Sequence, residues 1–531
     1  MQGLLARTLP WLLAASAQAQ CEVQSFTSSA ATDLDAYGFA VALQADTAVV
    51  GAYLQDATTG SEAGRVHVWV EGPGGWSLVQ ELPGAAAGDQ LGVSLDLDGD
   101  TLVAGARWDD GLAQNAGAVH VYRHDGQAYA LQTVLRGSLS TASSGFGVGV
   151  ALAGDVLFAS TMSEDRLYVY ERNGAGFWNE VAQVATLGGG FDVDGQRALV
   201  GDMWADSVAL QAGQVRVLER SSNAWVETAV LTASDAAASD LFGAAVALEG
   251  DTAVVAARFA DAGAADGGAL YVFEHGPSGW VEVQKLVHPN PADGDWLAAS
   301  LDLEGDLLFA GSDREDAGAL NGGAVHVWER TPAGWVWKTE LVSPSAAAHD
   351  WLGQRVSASG TRVLAGAFGD DHPSCAGVGT GCWAGSASLF ELAPGPSALD
   401  LAGAPNALSV FAGGTHSLEL RTCPPLPGQP YLVLGSASGT SPGLVLDGFS
   451  IELVFDAYTQ GTLLLPQTAP YQGLQGVLDA GGAASASLSL PPGSPTSLAG
   501  LVLHHVALVL PNTPGLALQA VSGASALKLL P

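Results

Sequence analysis

The sequence predicts an all-β protein in which a seven-bladed β-propeller is followed by a small C-terminal β-sandwich. Three observations support this prediction. A phrase with a period near 55 residues recurs seven times. Each copy contains four short strand-like runs, which is the content of one propeller blade. Beyond residue 398, charged residues become scarce and short apolar runs alternate with Gly, Ser and Pro, as in a sandwich of short strands.

Each repeat begins with an aromatic residue or Leu, continues as an alternating V-A-L run (strand a) and turns into a second apolar run (strand b). In residues 242–257 the turn is Gly250-Asp251, and Gly adopts positive φ there without strain. Strands c and d follow, as in residues 117–122 and 280–286. A seven-copy β-solenoid is the alternative, although solenoid coils are usually shorter. The turn position falls at Asp46, Asp100, Asp155, Gln196, Asp251, Asp306 and Thr361, with spacings of 54, 55, 41, 55, 55 and 55 residues.

A second spacing predicts how the ring closes. Strand d ends 11 residues before the next aromatic residue or Leu, as between Leu231 and Phe242. Phe26 and Tyr37 have the same separation, so residues 22–28 form a strand d with no strands a to c before it. The seventh repeat ends after its strand c. We therefore expect the N-terminal strand to complete blade 7 and remove the open sheet edges.

The chain is strongly acidic, which limits its partners. It has 54 Asp and Glu against 19 Lys and Arg, giving a formal net charge of −35. Nucleic acids and anionic membranes are bound through Lys and Arg, so we expect no nucleic-acid partner. Such a charge favours solubility, cationic partners or divalent cations. No apolar run is long enough to predict a membrane span.

The first 19 residues have the pattern of a signal peptide. Arg7 supplies a short basic region, residues 9–15 are apolar, and residues 17–19 form an A-x-A cleavage site. Cys21 raises a lipoprotein as the alternative, but the residues before it lack the Leu and the small residue of a lipobox. We expect a propeller over residues 20–393, a linker over 394–400 and the sandwich over 401–531.

The repeats resemble the FG-GAP family, best known from the propeller head of integrin α chains. They are most similar to its bacterial secreted form. Phrases such as Phe242-Gly243 and Val50-Gly51-Ala52 carry the likeness, which covers roughly residues 22–393. The resemblance implies the propeller fold and leaves the ligand open. The C-terminal region looks like modules of other secreted bacterial proteins, a likeness that implies no activity.

Integrin-type blades hold calcium in an elongated a–b turn with a D-x-D-x-D-G-x-x-D pattern, and this chain departs from that pattern. The turns read, for example, Asp96-Leu97-Asp98-Gly99-Asp100, without the third carboxylate before the Gly. A two-residue turn cannot surround Ca²⁺, which needs 6–8 oxygen ligands. We therefore expect no metal in these turns and no cofactor, while the acidic loops leave room for weak calcium binding.

The sequence contains no recognisable set of catalytic groups. Residues 439–443 match G-x-S-x-G, but they lie between two strand-like runs without the helix that a nucleophile elbow requires. His67, His120 and His326 occupy one equivalent position of strand c in blades 1, 2 and 6. Equivalent positions lie around a ring, so we expect these three side chains to fill the structure rather than to converge on a metal.

The acidic loops between strands b and c, and between strands d and a, emerge on one rim, which we call the loop face. Loops on a rigid scaffold commonly carry binding function, although solvated acidic loops are the simpler interpretation. Cys375 and Cys382 lie in one Gly-rich loop of an exported chain, which favours a local disulfide, with Cys21–Cys423 as a weaker second pair. The candidate ligand-binding residues are Asp109, Asp110, Asp313, Glu315, Asp316, Asp370 and Asp371.

These features favour a bacterial protein, secreted or at the cell surface, that binds an extracellular protein or glycan without catalysis. We expect a monomer in which the sandwich supports, attaches or sorts the propeller. An extracellular hydrolase or lyase built on a propeller is the competing class, since loop carboxylates can assemble in three dimensions. A structural envelope component is the third.

Overall fold

The computed structural model describes residues 21–28, 34–72, 75–221, 224–371 and 383–392 and, beyond these, the strands of the C-terminal region. Every regular element among these residues is a β-strand. The described strands between Cys21 and Glu391 form seven four-stranded sheets, which confirms the all-β, seven-bladed propeller. The apolar residues of neighbouring blades pack together, so the core consists of the layers between blades.

The strands of the propeller are numbered in chain order. Blade 1 contains β2 (Tyr37–Gln44), β3 (Thr47–Ala52), β4 (Arg65–Gly72) and β5 (Gly75–Pro83). Blade 2 contains β6 (Leu91–Asp98), β7 (Thr101–Ala106), β8 (Ala118–His124) and β9 (Tyr129–Leu135). Blade 3 contains β10 (Val150–Ala153), β11 (Val156–Ser160), β12 (Arg166–Arg172) and β13 (Trp178–Ala185). Blade 4 contains β14 (Phe191–Asp194), β15 (Arg197–Asp202), β16 (Gln214–Ser221) and β17 (Ala224–Leu231). Blade 5 contains β18 (Phe242–Glu249), β19 (Thr252–Ala257), β20 (Ala269–Gly276) and β21 (Gly279–Leu286). Blade 6 contains β22 (Ser300–Glu304), β23 (Leu307–Ser312), β24 (Ala324–Thr331) and β25 (Gly334–Leu341). Blade 7 contains β26 (Val356–Ser359), β27 (Arg362–Ala367), β28 (Ser386–Glu391) and β1 (Cys21–Phe26).

Blade 7 is completed by the first strand of the chain. Its strand order is β1-β28-β27-β26, so β1 takes the outermost position that strand d holds in the other blades. Phe26 is fully buried and packs on Trp69 and Trp76 of blade 1, with ring centroids 5.1 and 5.4 Å apart. The same cluster contains Leu389 of β28. One aromatic side chain therefore joins the two ends of the ring.

Glycines at two repeated positions let neighbouring blades approach closely. Gly51 lies near the end of strand b, and a Cβ placed on it would be 2.2 Å from the carbonyl oxygen of Gly92 at the start of blade 2. At the junction of blades 7 and 1, a Cβ on Gly366 would lie 1.8 Å from the carbonyl oxygen of Gly38. Gly38 and Gly92 also have positive φ, of 85° and 95°. The Gly-Ala phrase of one repeat thus fits against the aromatic-Gly phrase of the next.

The C-terminal region is a separate unit. The propeller, Glu22–Glu391, forms one compact body, and Leu392–Pro531 belongs to a second. One sheet of this second unit has the order β29-β31-β37-β35 and another has β30-β40-β38-β32-β36, with β39 beside β38, while β33 pairs with β34. These strands are β29 (Ala398–Ala404), β30 (Ala407–Ser409), β31 (Gly414–Cys423), β32 (Pro430–Ser436), β33 (Leu444–Leu446), β34 (Phe449–Ile451), β35 (Tyr471–Gln472), β36 (Gln475–Val477), β37 (Ala483–Leu490), β38 (Val502–Val509), β39 (Ala520–Val521) and β40 (Ser525–Leu530).

Candidate functional site

The loop face carries a connected series of aromatic rings and guanidinium groups, which we call the aromatic arc. It follows the inner ends of the b–c and d–a loops through blades 2, 1, 7, 6 and 5. All its side chains are partly exposed, so they remain accessible while packing on one another. The arc consists of Trp108, Arg107, Tyr53, Phe39, Phe368, Trp351, Arg314, Trp296 and Phe259.

Ring and cation contacts hold the arc together. Phe39 lies 4.6 Å from Tyr53 and 5.5 Å from Phe368, measured between ring centroids. Phe368 stacks on Trp351 at 4.9 Å. The guanidinium of Arg314 then bridges two blades, because its Cζ lies 5.4 Å from the ring centroid of Trp351 and 5.3 Å from that of Trp296. Cation–π contacts of this kind order long arginine side chains that would otherwise be mobile.

At its two ends the arc continues in the same way. Arg107 lies over Tyr53 at 4.8 Å and over Trp108 at 5.4 Å. Trp296 meets Phe259 at 5.0 Å. Each residue comes from the start of a b–c loop, from the d–a segment that precedes strand a or, for Phe39, from the beginning of strand a itself. The distribution of acids along the sequence does not indicate this set, although the Asp-Trp-Leu phrases at residues 295–297 and 350–352 are a visible signal.

The predicted loop acids have mostly structural partners. The carboxylate of Asp110 accepts the N–H of Asn115 at 2.6 Å, and that of Asp316 accepts the N–H of Asn321 at 2.8 Å. Asp371 accepts the N–H of Trp383 at 3.2 Å. The Asp at this repeated position therefore closes the b–c loop on itself, as short polar side chains do in turns. The equivalent Asp56, Asp206 and Asp261 do the same.

The other predicted acids are more buried. Asp109 accepts hydrogen bonds from Arg136 at 2.9 Å and from the N–H of Gly111 at 2.8 Å. Asp313 is paired with Arg258 beneath the arc. Asp370 is half-buried; together with Asp371, its charge adds to the effect of burial, which raises the pKa of Asp350 to about 6.

The predicted acids do not form one cluster. Asp313, Glu315 and Asp316 lie in blade 6, and Asp370 and Asp371 lie in the adjacent blade 7. Asp109 and Asp110 lie in blade 2, with blade 1 between them and blade 7. The acids therefore flank the aromatic arc at separate points and do not gather at one cation site.

A cavity of about 450 Å³ lies on the propeller axis. The strands a that line it contribute Asp96, Asp192 and Asp302, from blades 2, 4 and 6, and Arg355 lines it from the residue before strand a of blade 7. The other end of each strand a is the a–b turn that holds calcium in integrin-type blades. There, the carboxylates of Asp98 and Asp194 accept the N–H groups of Gly154 and Gly250 in the next blade, both at 2.5 Å. These turn carboxylates are therefore used to join blades.

The three equivalent histidines lie in separate blades, as their spacing predicts. His67 is fully buried and bonds to Gln55 at 2.7 Å. Burial, followed by the charge of Arg65, lowers the pKa of His67 to about 3, so the ring is neutral. His120 contacts the hydroxyl of Tyr122 at 3.3 Å. His326 has a neighbour that the repeat pattern did not indicate, His288, whose ring centroid is 4.4 Å away.

Several predictions concern residues outside those the structure describes. The signal peptide, the G-x-S-x-G segment and the Cys375–Cys382 disulfide fall there, as do the side chains of Cys21 and Cys423. Among the described residues, none belongs to a helix long and apolar enough to cross a membrane.

A comparison with known protein families identifies the repeats. The family model described as FG-GAP repeat matches residues 21–69, 76–122, 225–273 and 335–390. Each match runs from a strand d through the strands a, b and c of the following blade. The fold and the arc define a β-propeller with a loop-face surface. This propeller is an FG-GAP repeat propeller, and the sequence resemblance is confirmed.

Three solved structures illustrate the weak similarity that this chain has to known structures. A protein from Lactobacillus plantarum is 14% identical with a TM-score of 0.40, over 58% of this chain and 86% of that one. The β-propeller domain of the Trilobed protease from Pyrococcus furiosus is 6% identical with a TM-score of 0.36, over 64% and 91%. The acylaminoacyl peptidase from Pyrococcus horikoshii is 8% identical with a TM-score of 0.39, over 77% and 59%. Among proteins with curated descriptions, none matches this chain in sequence.

Proposed function

We propose that this protein is a non-enzymatic binding or adhesion protein of the bacterial cell exterior, whose loop face engages an extracellular protein or glycan. The aromatic arc is the single observation that carries the proposal. Trp, Tyr and Arg dominate the binding energy of protein interfaces, because they combine large contact area with hydrogen-bonding or cationic groups. Aromatic rings that are half-exposed and already ordered also lose little conformational freedom on binding.

The electrostatics of the face support a ligand with positive or hydrogen-donating groups at its edge. Asp110 and Asp316 are exposed beside the arc, and Asp371 is exposed near Trp351. The overall charge of −35 extends this negative field beyond the loops. Such a field accelerates encounter with a cationic partner and weakens with salt. The rings would then supply the short-range contacts.

Two alternatives are weaker. A propeller hydrolase or lyase needs groups of matched pKa that converge on one substrate, and the described loop acids are instead engaged in loop closure or ion pairs. A purely structural envelope component would not require ordered aromatic rings at the solvent boundary. In our proposal the C-terminal region is a β-sandwich that supports, attaches or sorts the propeller, and the signal peptide directs export of a monomer.

The proposal is tested by binding of the secreted protein to a glycan array and to extracellular proteins, with and without calcium. Trp351→Ala and Arg314→Ala each interrupt the middle of the arc, so we expect each to weaken binding at least tenfold. Trp204→Ala is the matched control, because Trp204 is 48% exposed and lies in blade 4, outside the arc. Equal affinity of all three variants for the captured ligand would contradict a role for the arc.

A further inference from the structure

Four segments of the chain meet in blade 6, and one of them is the loop between strands b and c of that blade. His288 follows β21 in the segment that leads from blade 5 into blade 6, and Asp295 lies further along that segment. His326 is on β24, and Glu340 is its direct cross-strand partner on β25. Glu315 comes from the b–c loop itself. The cluster therefore depends on two blades and cannot be found from one repeat.

The two histidines are buried and incompletely paired. His288 is 6% exposed and His326 is 1% exposed. The Nδ1 atom of each ring is buried without a hydrogen-bond partner. An unpaired buried nitrogen is unfavourable, and most such atoms in proteins have a partner or a ligand. Two of them in rings 4.4 Å apart indicate a shared ligand that accepts nitrogen lone pairs.

The third donor is a carboxylate. One ligand atom each of His288, His326 and Glu340 lie within 4.8 Å of one another. Ligand atoms around a tetrahedral zinc ion are about 3.4 Å apart, given metal–ligand distances near 2.1 Å. To reach that separation, the three atoms would have to approach one another by at most about 1.4 Å. His288, Asp295 and Glu315 form a second group within the same distance.

Glu315 distinguishes between the two groups. Its Oε2 atom lies 2.5 Å from Nε2 of His326 and accepts a hydrogen bond from it, which leaves the lone pair on Nδ1. Metal-bound histidines usually donate their other N–H to a carboxylate in this way. The other oxygen of Glu315, Oε1, lies 4.0 Å from Nδ1 of His288, beyond hydrogen-bond distance. The hydrogen bond to Nε2 of His326 therefore assigns Glu315 the role of orienting this ring.

We propose that His288, His326 and Glu340 bind a divalent transition-metal ion, with Zn²⁺ as the expected occupant, and that Glu315 orients His326. Two imidazoles and one carboxylate suit zinc and its first-row neighbours, whereas Ca²⁺ takes oxygen ligands. Water or Asp295 completes the coordination. The bound ion would fix the segment that carries His288 and Trp296 against blade 6.

The other blades provide an internal comparison. The position of His288 is occupied by Ser28 for blade 1, and there Gln55 joins Ser28 at 2.9 Å and His67 at 2.7 Å. That pocket holds one imidazole, whose buried Nδ1 atom also lacks a hydrogen-bond partner, so the pairing of two rings, and not an unpaired nitrogen alone, distinguishes blade 6. The equivalent residues for blades 2, 3, 5 and 7 are Gly84, Gly137, Ala233 and Ser343. The pair of imidazoles is therefore particular to blade 6 among these positions.

The test measures metal binding by the full chain. Protein stripped with a chelator is titrated with Zn²⁺ against a chromophoric competitor, and Co²⁺ is used to record a visible spectrum. We expect about one tight Zn²⁺ per chain and a rise in Tm of about 3 °C at a hundredfold excess over Kd. His288→Gln and His326→Gln should each lose this site, together with the Tm response and the Co²⁺ spectrum.

Three controls make the result specific. His67→Gln removes the equivalent buried histidine of blade 1 and should keep the site. Glu315→Gln should keep the stoichiometry but weaken binding 10- to 100-fold, the range expected when a residue behind a ligand is changed. All variants retain the two consecutive histidines of β38. Any Zn²⁺ bound by those histidines therefore contributes equally to every variant and does not affect the comparison.

The proposal is overturned if the wild type binds no more Zn²⁺ or Co²⁺ than the His288→Gln/His326→Gln double variant. It is also overturned if Glu315→Gln abolishes binding while Glu340→Gln has no effect, because the second group would then be the site. Circular dichroism and gel filtration of each variant verify folding before titration.

Discussion

The carboxylate of Asp302 in blade 6 accepts the backbone N–H of Ala358 in blade 7 at 2.7 Å. Its other oxygen accepts the N–H of Leu303 at the same distance. Asp96 and Asp192 make the same pair of bonds from blades 2 and 4 to blades 3 and 5. The Asp side chains that face the axis therefore connect the strands a of successive blades by hydrogen bonds.

This arrangement makes the stability of the propeller dependent on pH. Burial raises the pKa of Asp96 to about 6, of Asp192 to about 7 and of Asp302 to about 8, and the charges of the other acids in this set add to the shift of Asp192 and Asp302. In the unfolded chain Asp titrates near 3.9. The folded state therefore holds more protons between about pH 4 and pH 8, so these groups reduce stability as the pH rises through that range.

We expect Asp302→Asn to flatten this dependence, because Asn cannot ionise. Asn accepts only one of the two N–H groups that the carboxylate accepts, so the variant loses one hydrogen bond at every pH. In thermal unfolding, the Tm of the variant relative to the wild type should therefore be higher at pH 8 than at pH 4.5. Asp266→Asn is the control, since Asp266 is exposed in a b–c loop. The predicted direction of the pH dependence would be wrong if the Tm of the wild type rose from pH 5 to pH 8 relative to that of Asp302→Asn.

The second prediction concerns ring closure. Phe26→Ala should lower the free energy of unfolding by about 3–5 kcal/mol, because a fully buried aromatic side chain is lost between blades 7 and 1. Val23→Ala on the same strand should have little effect, since Val23 is 44% exposed. Denaturant titration of both variants makes the comparison. Deletion of residues 22–28 with unchanged midpoint and cooperativity would show that β1 does not hold the ring.

The third prediction tests the close approach of blades. Gly366→Ala places a methyl group 1.8 Å from the carbonyl oxygen of Gly38, so the backbone must shift. We expect a loss of about 1–3 kcal/mol, as for overpacked cores. Gly72→Ala has no atom within 4 Å of the new Cβ and should change stability by less than about 0.5 kcal/mol. Equal denaturation midpoints for the two variants would rule out this explanation of the repeated glycines.

The fourth prediction is a disulfide between Cys375 and Cys382, which lie seven residues apart in a Gly-rich part of the sequence of a chain that we propose is exported. Peptide mapping of the secreted protein without reduction should recover the two cysteines in one linked fragment. Reduction should separate them. Recovery of both as free thiols would contradict the pairing.

The number of blades and the partner of β1 could be predicted because both follow from distances along the sequence. Seven turn positions give seven sheets, and the separation of Phe26 from Tyr37 assigns residues 22–28 to strand d. The repeated glycines are visible in the sequence as part of the recurring phrase, but the contact between them is not. Gly51 meets Gly92 only because successive blades are placed side by side.

His288 could not be predicted as a partner of His326 for a related reason. It lies in an irregular segment between repeats, where the pattern fixes only the total length. The equivalent positions of His67, His120 and His326 were correctly expected to lie apart, but that expectation considered one residue per blade. The aromatic arc could not be predicted because its contacts join side chains of different blades, although Trp296 and Trp351 occupy one repeat position and Tyr53 and Phe368 another.

The position of β1 also has a consequence for the order of folding during synthesis. β1 is the first strand of the propeller to be made, and its partner β28 begins at Ser386. At about 5–20 residues per second, β1 waits roughly 20–70 s for that partner to be translated. Blades 1 to 6 contain all of their own strands and can assemble in sequence meanwhile. The ring closes only when β28 of the last blade pairs with β1. The final step therefore joins the first and the last synthesised strands of the propeller.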